Sequence, residues 1–326
     1  MKINNIFAHY ASEIKTVEEE LFRIFNSDVF IIPSIGRHII NSGGKRIRPL
    51  FLLLSADLCG YKGSNRCLLA AIIEAIHTAS LLHDDVIDGA DTRRGKKASH
   101  VLWGNQIVIL VGDYLYSNAL KLAVSQKNQK IMEALSEATT RMTEGEILQL
   151  HKTADPDITE AEYFKIISAK TGILISAACR IGGILAGLNS EAETALANFG
   201  LKTGIAFQMA DDILDYMARQ EELGKKLGKD LEEGKITMPL IQLLKSVSES
   251  ERQEVVEIIT ASSKNKEVVG QARIIQLFDK YNSINESLKI ANSMVQEARS
   301  ELDIFPDTQE KRIIIEMAEY AMMREH

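Results

Sequence analysis

Cysteine is scarce in this chain, and proline is scarce for its length. Only three cysteines occur among 326 residues, Cys59, Cys67 and Cys179. Their odd number and spacing fit neither a disulfide framework nor a zinc site. That excludes a small cross-linked scaffold and fits a reducing compartment. Cys179 falls in an apolar stretch and reads as core. The five prolines, Pro33, Pro49, Pro156, Pro239 and Pro306, leave long stretches free to stay helical. There is no long basic run and the net charge is −7, which argues against a nucleic-acid partner. No Gly-x-Gly-x-x-Gly or Walker sequence is present, and no Ser-His-Asp or Cys-His relay is evident, so nothing points to nucleotide binding or to hydrolysis by a protein nucleophile. Met1–His9 holds no signal-peptide hydrophobic region. The most apolar stretch, 172–188, is interrupted by Arg180 and falls short of an unbroken membrane span. The expectation is a cytoplasmic chain with at most peripheral membrane contact.

What is present is helical pattern. The chain is 45% hydrophobic and 25% charged, enough apolar content for a sizeable core. It is rich in Ala, Leu, Ile, Glu and Lys, which favour helix. Ile14, Val17, Leu21 and Ile24 follow the helical period, with Glu18, Glu19 and Glu20 opposite. Helices are expected over about 50–58, 65–88, 100–123, 130–151, 159–186, 191–215 and 238–247, with more after Ser250. Asp157-Ile158-Thr159-Glu160 looks like a helix start behind Pro156. Strand alternation is scarce, hairpin signals are absent apart from Asp88-Gly89 at a helix end, and no segment reads as a linker. The expectation is one all-α domain over 1–326, a helical bundle around a deep central cavity.

Two copies of Asp-Asp-x-x-Asp lie far apart: Asp84-Asp85-Val86-Ile87-Asp88 and Asp211-Asp212-Ile213-Leu214-Asp215. On a helix, i and i+4 share a face, so Asp84 projects with Asp88, and Asp211 with Asp215. Such a carboxylate pair suits a hard cation, most naturally Mg²⁺. The alternative reading of a single copy is a solvated helix end, which the pair disfavours. Two copies suggest two walls holding metal and, through it, a polyanion such as a diphosphate.

Basic residues accompany both motifs. Gly43-Gly44-Lys45-Arg46-Ile47-Arg48-Pro49 combines an unobstructed backbone, three cations and a helix start, which suits phosphate oxygens or, alternatively, is a basic solvated turn. Arg93-Arg94-Gly95 follows the first motif, either to serve a diphosphate or to balance Asp88 and Asp91. His77 shares a helical stripe with Asp84 and Asp88 and could donate to a phosphate; His83 lies off it and reads as structural. Lys170-Thr171-Gly172 places polar groups inside an apolar run, with Lys170 either lining a cavity or snorkelling. Gln208 shares the face of Asp211 and Asp212. Lys225, Lys226, Lys229 and Lys235, interspersed with Gly224, Gly228 and Gly234, suggest either a lid over a phosphate or a solvated loop.

This set, in this order, resembles the trans-isoprenyl diphosphate synthase family over nearly the whole chain. The resemblance is carried by the two acidic motifs, Gly43–Pro49, His77, Arg93-Arg94-Gly95, Lys170-Thr171, Phe207-Gln208 and Gly224-Lys225, with Gly234–Pro239 completing it. Within the family it is most similar to the bacterial octaprenyl-forming branch, whose products become respiratory quinone side chains. His77–His83 and Glu144–Leu150 carry that closer match.

The resemblance implies antiparallel helices around a cavity, a homodimer, and Mg²⁺, with Mn²⁺ able to substitute. It implies that Lys45, Arg48, His77 and Arg94 hold isopentenyl diphosphate. Arg93, Lys170, Thr171, Gln208, Lys225 and Lys235 would face the allylic diphosphate. Asp84, Asp88 and Asp211 would bind metal, with Asp215 acting through water. Ala79 and Ser80, small residues five and four before Asp84, would leave a tunnel open for chain growth, with Met132 or Leu135 as its stop. The alternative reading of Ala79 and Ser80 is close helix packing. Rival functions are a synthase of another chain length (geranylgeranyl, heptaprenyl or solanesyl), a terpene cyclase or head-to-head synthase, and a regulatory subunit. The Gly43–Pro49 site argues against a cyclase, and the retention of both acidic motifs argues against a regulatory subunit.

Overall fold

The structure is a computed structural model that describes residues 3–217, 228–265, 267 and 269–322. It is all-α, as expected. The chain divides into two compact units: Met1–Thr139 with Leu174–Gly200 and Leu302–Met317, and Thr140–Ile173 with Leu201–Glu301 and Ala318–His326.

The first unit contains α1 (Ile3–His9), α2 (Ala11–Ile24), α3 (Ile31–Ile40), α4 (Ile47–Leu58), α5 (Asn65–Ile87), α6 (Ser99–Trp103) and α7 (Asn105–Ser125). To these it adds 129–139 of α8 (Gln129–His151), 174–185 of α10 (Ile173–Leu185) and 190–200 of α11 (Ser190–Met217). α5 packs against α2, α4 and α7. α4 is apolar nearly all round and buries every residue from Pro49 to Asp57, the pattern of a central core helix. Its Pro49 sits in the first turn, where the missing N–H costs nothing. Gly182 lets α10 meet α4 backbone to backbone, since a Cβ there would lie 2.7 Å from Ala56 N. Tyr10 and Arg66 both donate to the buried Asp57 carboxylate and tie the start of the chain to α4 and α5.

The second unit contains 140–151 of α8, α9 (Glu160–Ile167), a π-helical turn at Ser168–Gly172, and 201–217 of α11. After these come α12 (Lys229–Glu232), α13 (Met238–Ser246), α14 (Glu249–Asn265), α15 (Gln271–Tyr281) and α16 (Ser283–Glu301). Its core gathers Met209, Tyr216, Met238, Leu240, Val255, Ile259, Leu277 and Phe278. The Tyr216 and Phe278 rings meet edge to face at 5.1 Å. The last helix among the described residues is α17 (Gln309–Met322).

Three details depart from the expected elements. The run 100–123 is two helices, broken where Gly104 takes φ 84. The run 159–186 is α9 and α10 joined by the π-turn. Its N-terminus carries a capping box, Thr159 accepting from Glu162 N–H while the Glu162 side chain accepts from Thr159 N–H. A small hairpin, β1 (Thr92–Arg93) and β2 (Lys96–Lys97), follows α5. Its turn residues Arg94 and Gly95 have φ 52 and φ 73, the two positive angles of a type I′ turn.

Among the described residues, three helices are long and apolar enough to cross a membrane by length and composition: Asn65–Ile87, Asn105–Ser125 and Glu160–Leu185. The first and third bury 61% and 83% of their apolar windows inside the protein, whereas Asn105–Ser125 buries 33%. Its apolar surface is therefore the least explained by the core.

Small residues let the π-turn sit tightly in the second unit. A Cβ on Gly204 would stand 2.5 Å from Gly172 Cα, and one on Gly145 2.3 Å from Ala169 Cβ. Gly204→Ala should therefore push α11 off the turn and destabilise the protein by about 1–3 kcal/mol, the usual cost of overpacking. Denaturant unfolding checks this; a wild-type midpoint would show that the close approach is dispensable.

Candidate active site

In the first unit the acidic motif closes α5. Asp84 and Asp88 are half-buried one turn apart, and Asp88 N–H donates to the Asp84 carbonyl at 2.7 Å. Asp85 points inward instead, 3% exposed, and receives Arg93 Nε at 2.7 and 2.9 Å on its two oxygens. The hairpin holding Arg93 is clamped to the end of α3 and the start of the Gly43–Pro49 loop. Arg94 donates to the Gly43 carbonyl, Lys96 Nζ to the Asn41 carbonyl at 2.8 Å, and His38 Nε2 to the Lys97 carbonyl at 3.0 Å. A Cβ on Gly44, at φ +151, would stand 2.7 and 2.9 Å from guanidinium nitrogens of Arg94 and Arg46, so both side chains would have to move aside.

Arg48 Nη1 stands 3.1 Å from His77 Nε2. A guanidinium only donates, so Nε2 accepts and the imidazole proton sits on Nδ1. Burial, then the charge of Arg48, holds the His77 pKa well below the ordinary histidine value, so the ring is neutral. A cleft of about 400 Å³ beside the hairpin is lined by His38, Thr78, Leu82, Asp85, Arg93, Arg94 and Lys97 among others.

In the second unit Asp212, not its neighbours, is the buried member of the motif, at 5% exposure. Its Oδ2 accepts from Tyr163 OH at 2.7 Å and its Oδ1 from Gln208 Nε2 at 2.8 Å. Gln208 Oε1 accepts from Thr171 Oγ1 at 2.6 Å. Lys170, in the π-turn, donates to Glu146 Oε2 at 3.2 Å and Gln149 Oε1 at 3.3 Å. Asp215 accepts from the Lys229 and Asp230 backbone N–H groups and so caps α12. Of these, Gln149, Tyr163, Lys170, Gln208, Asp212 and Asp230 line a cleft of about 550 Å³, together with Lys152, Lys235 and others. Burial, before any other cause, raises the pKa of Asp212 to about 6 and that of Asp230 well above the carboxylate range; Asp212 and Asp215 add to the latter.

The sequence-derived assignments divide accordingly. The structure brings Arg48, His77 and Arg94 to the Gly43–Pro49 region of the first unit, and Lys45 is exposed on the same loop. Arg46, read as one of three phosphate-facing cations, is buried instead. It takes φ 48 and donates to Glu18 and Glu74, each at 3.1 Å. Arg93, assigned to the allylic diphosphate, lies on Asp85. Thr171 and Gln208 meet as expected. Lys170-Thr171 lies in a π-turn rather than a regular helix, a feature frequent at functional sites. Lys229 and Lys235, read as lid lysines, both pair with Glu233. Lys225, with Gly224 and Lys226, lies outside the described residues. Ala79 is buried, Ser80 Oγ donates to the His77 carbonyl at 2.9 Å, Met132 is half-buried and Leu135 is fully buried. His83 contacts the Ile109 carbonyl, in keeping with a structural role.

Tyr163, Asp230 and the inward roles of Asp85 and Asp212 were missed. Asp230 carried one signal, its place in a Gly-Lys-Asp-Leu-Glu-Glu-Gly-Lys segment; Tyr163 carried none.

Comparison with known proteins decides the family. Residues 30–277 match the family model described as Polyprenyl synthetase. The chain belongs to this family. It is 37% identical over 325 residues, all of both chains, to the octaprenyl diphosphate synthase of Escherichia coli strain K12. The crystal structure of a decaprenyl diphosphate synthase from Rhodobacter capsulatus superposes with a TM-score of 0.92 at 35% identity, covering 99% of each chain. That of a polyprenyl synthase from Caulobacter crescentus CB15, complexed with calcium and isoprenyl diphosphate, gives 0.90 at 36% identity and covers 99% of this chain and 98% of that one. This polyprenyl synthetase is thus a trans-prenyltransferase that makes prenyl diphosphates, and its family is metal-dependent.

Among the described residues no three His, Cys, Asp or Glu side chains form a ready metal cage. The residues nonetheless fit a hard divalent cation. Each motif offers oxygen donors spaced i, i+4, and such a cation retains coordination positions for water and diphosphate oxygens. Asp215 is already engaged by two backbone donors, which suits contact through water.

The raised pKa of Asp212 makes the metal-free enzyme pH-sensitive. The folded state binds this proton more tightly than the unfolded chain does, so the stabilisation is lost as pH rises from 3.8 through about 6. In chelator, acidifying from about pH 7 to about pH 5 should recover stability, and Asp212→Asn should flatten that recovery. Thermal melts across this range check it; identical slopes in the two proteins would refute the assignment.

Proposed function

We propose that the chain is an octaprenyl diphosphate synthase that extends farnesyl diphosphate with successive isopentenyl diphosphates for a ubiquinone or menaquinone side chain. Full-length similarity to the Escherichia coli octaprenyl synthase supports this reading. The observation that carries it is Ala79, a single buried methyl group five residues before Asp84 on α5. At 1.5 Å per residue it lies about 7.5 Å behind the carboxylate, where a bulky ring would halt chain growth early.

In this reading Lys45, Arg48, neutral His77 and Arg94 bind isopentenyl diphosphate. Lys170, Thr171, Gln208 and Lys235 serve the allylic diphosphate, with Lys225 assigned by family resemblance. Each condensation ionises the allylic carbon–oxygen bond, and the isopentenyl double bond attacks the resulting cation. The departing diphosphate takes the released proton. Asp84, Asp88 and Asp211, with Asp215 through water, would hold Mg²⁺ or Mn²⁺, which offsets charge growing on the leaving group. The calcium and isoprenyl diphosphate bound by the Caulobacter crescentus relative support this assignment.

The exposed apolar side chains of Val101, Leu102, Ile107, Ile109 and Leu110 on α6 and the start of α7 support a homodimer. The enzyme would work in the cytoplasm, touching the membrane peripherally as product leaves.

Purified enzyme given farnesyl and isopentenyl diphosphates with Mg²⁺ should make an eight-unit product. Asp84→Ala should lower turnover on the order of a hundredfold or more without loss of helix content. Full activity in excess chelator, or in Asp84→Ala, would refute the metal assignment. Ala79→Tyr should shorten the product to about three or four isoprene units while sparing the first condensation, because overpacking at that depth blocks growth and not the carboxylates. Chromatography of dephosphorylated products reads both, and an unchanged long chain from Ala79→Tyr would refute the growth path.

A further inference from the structure

Tyr163 lies on α9, seven residues before Lys170, and neither the sequence motifs nor the family assignment gives it a role. Its side chain is 3% exposed, and its hydroxyl is committed to Asp212 Oδ2. The other Asp212 oxygen is committed to Gln208 Nε2, which leaves Gln208 Oε1 to accept from Thr171. The bonds therefore form one directed chain, Tyr163 to Asp212 from one side and Thr171 to Gln208 to Asp212 from the other. It draws on α9 at Tyr163, before the π-turn, and on the π-turn itself at Thr171. Both ends converge on the helix that carries Asp211 and Asp215.

We propose that Tyr163 is a positioning residue of the condensation reaction: its hydroxyl holds Asp212 inward and so fixes the rotation of α11 that presents Asp211 to the metal-bound allylic diphosphate. Three observations support this. Asp212 is one residue from Asp211, so turning it turns its neighbour about the same helix axis. Both Asp212 oxygens are occupied by neutral donors inside the protein, which keeps this carboxylate from competing with Asp211 for a cation in the cleft. Tyr163 itself is fixed, since α9 starts at the Thr159–Glu162 capping box and Tyr163 N–H donates to the Thr159 carbonyl at 3.0 Å. Without the phenol hydroxyl, a buried carboxylate oxygen loses its donor, and Asp212 swings from its fixed rotamer toward the cations of the cleft it already borders.

This inference rests on the reading of Asp211 as a metal ligand, and the experiment separates the two. Three variants are compared with wild type: Tyr163→Phe, Asp211→Asn and Tyr10→Phe. Tyr10 is a matched control, another tyrosine donating to a buried carboxylate, Asp57, in the other unit at 2.6 Å. Binding of a non-ionising allylic thiolo-diphosphate is measured by calorimetry in Mn²⁺, without turnover, alongside the KM of each substrate and the melting temperature. Tyr163→Phe should weaken analogue binding about tenfold and raise the allylic KM to match, leaving the isopentenyl KM within about twofold. Tyr10→Phe should lower the melting temperature and change neither KM. Wild-type analogue binding by Tyr163→Phe, or equal rises in both KM values, would overturn the positioning role while Asp211→Asn still binds poorly. Wild-type affinity in Asp211→Asn would instead overturn the metal reading beneath it. Should Tyr163→Phe not fold, Asp212→Asn reads the same chain, because its amide keeps one accepting oxygen where the carboxylate has two, so Tyr163 and Gln208 no longer both donate to separate oxygens. An allylic-selective loss there supports the proposal, and unchanged analogue binding overturns it.

Discussion

A carboxylate taken out of water must be paired or fully hydrogen-bonded, and both acidic motifs are organised by that constraint. Each presents two half-buried carboxylates spaced i, i+4 and turns the one between them inward. Asp85 meets the charged fork of Arg93, whereas Asp212 meets two neutral donors, Tyr163 and Gln208. The two solutions differ electrically. Arg93 cancels a charge, whereas the neutral donors leave the Asp212 pKa raised by burial to about 6. The same motif is thus supported in two chemically distinct ways.

The buried carboxylates also organise the loops around them. Arg93 reaches Asp85 only because a two-residue turn reverses the chain after α5, and the same hairpin sends Arg94 and Lys96 onto the carbonyls of Gly43 and Asn41. The first acidic motif and the Gly43–Pro49 loop are thereby mechanically joined within one unit. In the second unit Gly145, Gly172 and Gly204 remove the side chains that would separate the π-turn from α8 and α11, which brings Thr171 within reach of Gln208. Close backbone approach, rather than any long side chain, sets that geometry.

The sequence by itself determined the helical class, the i, i+4 carboxylate pairs, the shared face of Gln208 and Asp212, and the reaction family. All of these follow from periodicity and motif order, which are local properties of the chain. Tertiary structure alone decided which like residues do unlike things. Arg46 and Arg48 are two positions apart, yet one lies buried against Glu18 and Glu74 while the other meets His77. Likewise Asp211 and Asp212 are adjacent, but only the second faces Tyr163. The roles of Tyr163 and Asp230 were equally illegible, because each depends on a partner, Asp212 or Asp215, that lies 49 or 15 residues away. Periodicity reports the face on which a residue lies; what waits on that face is set only when the rest of the chain has packed against it.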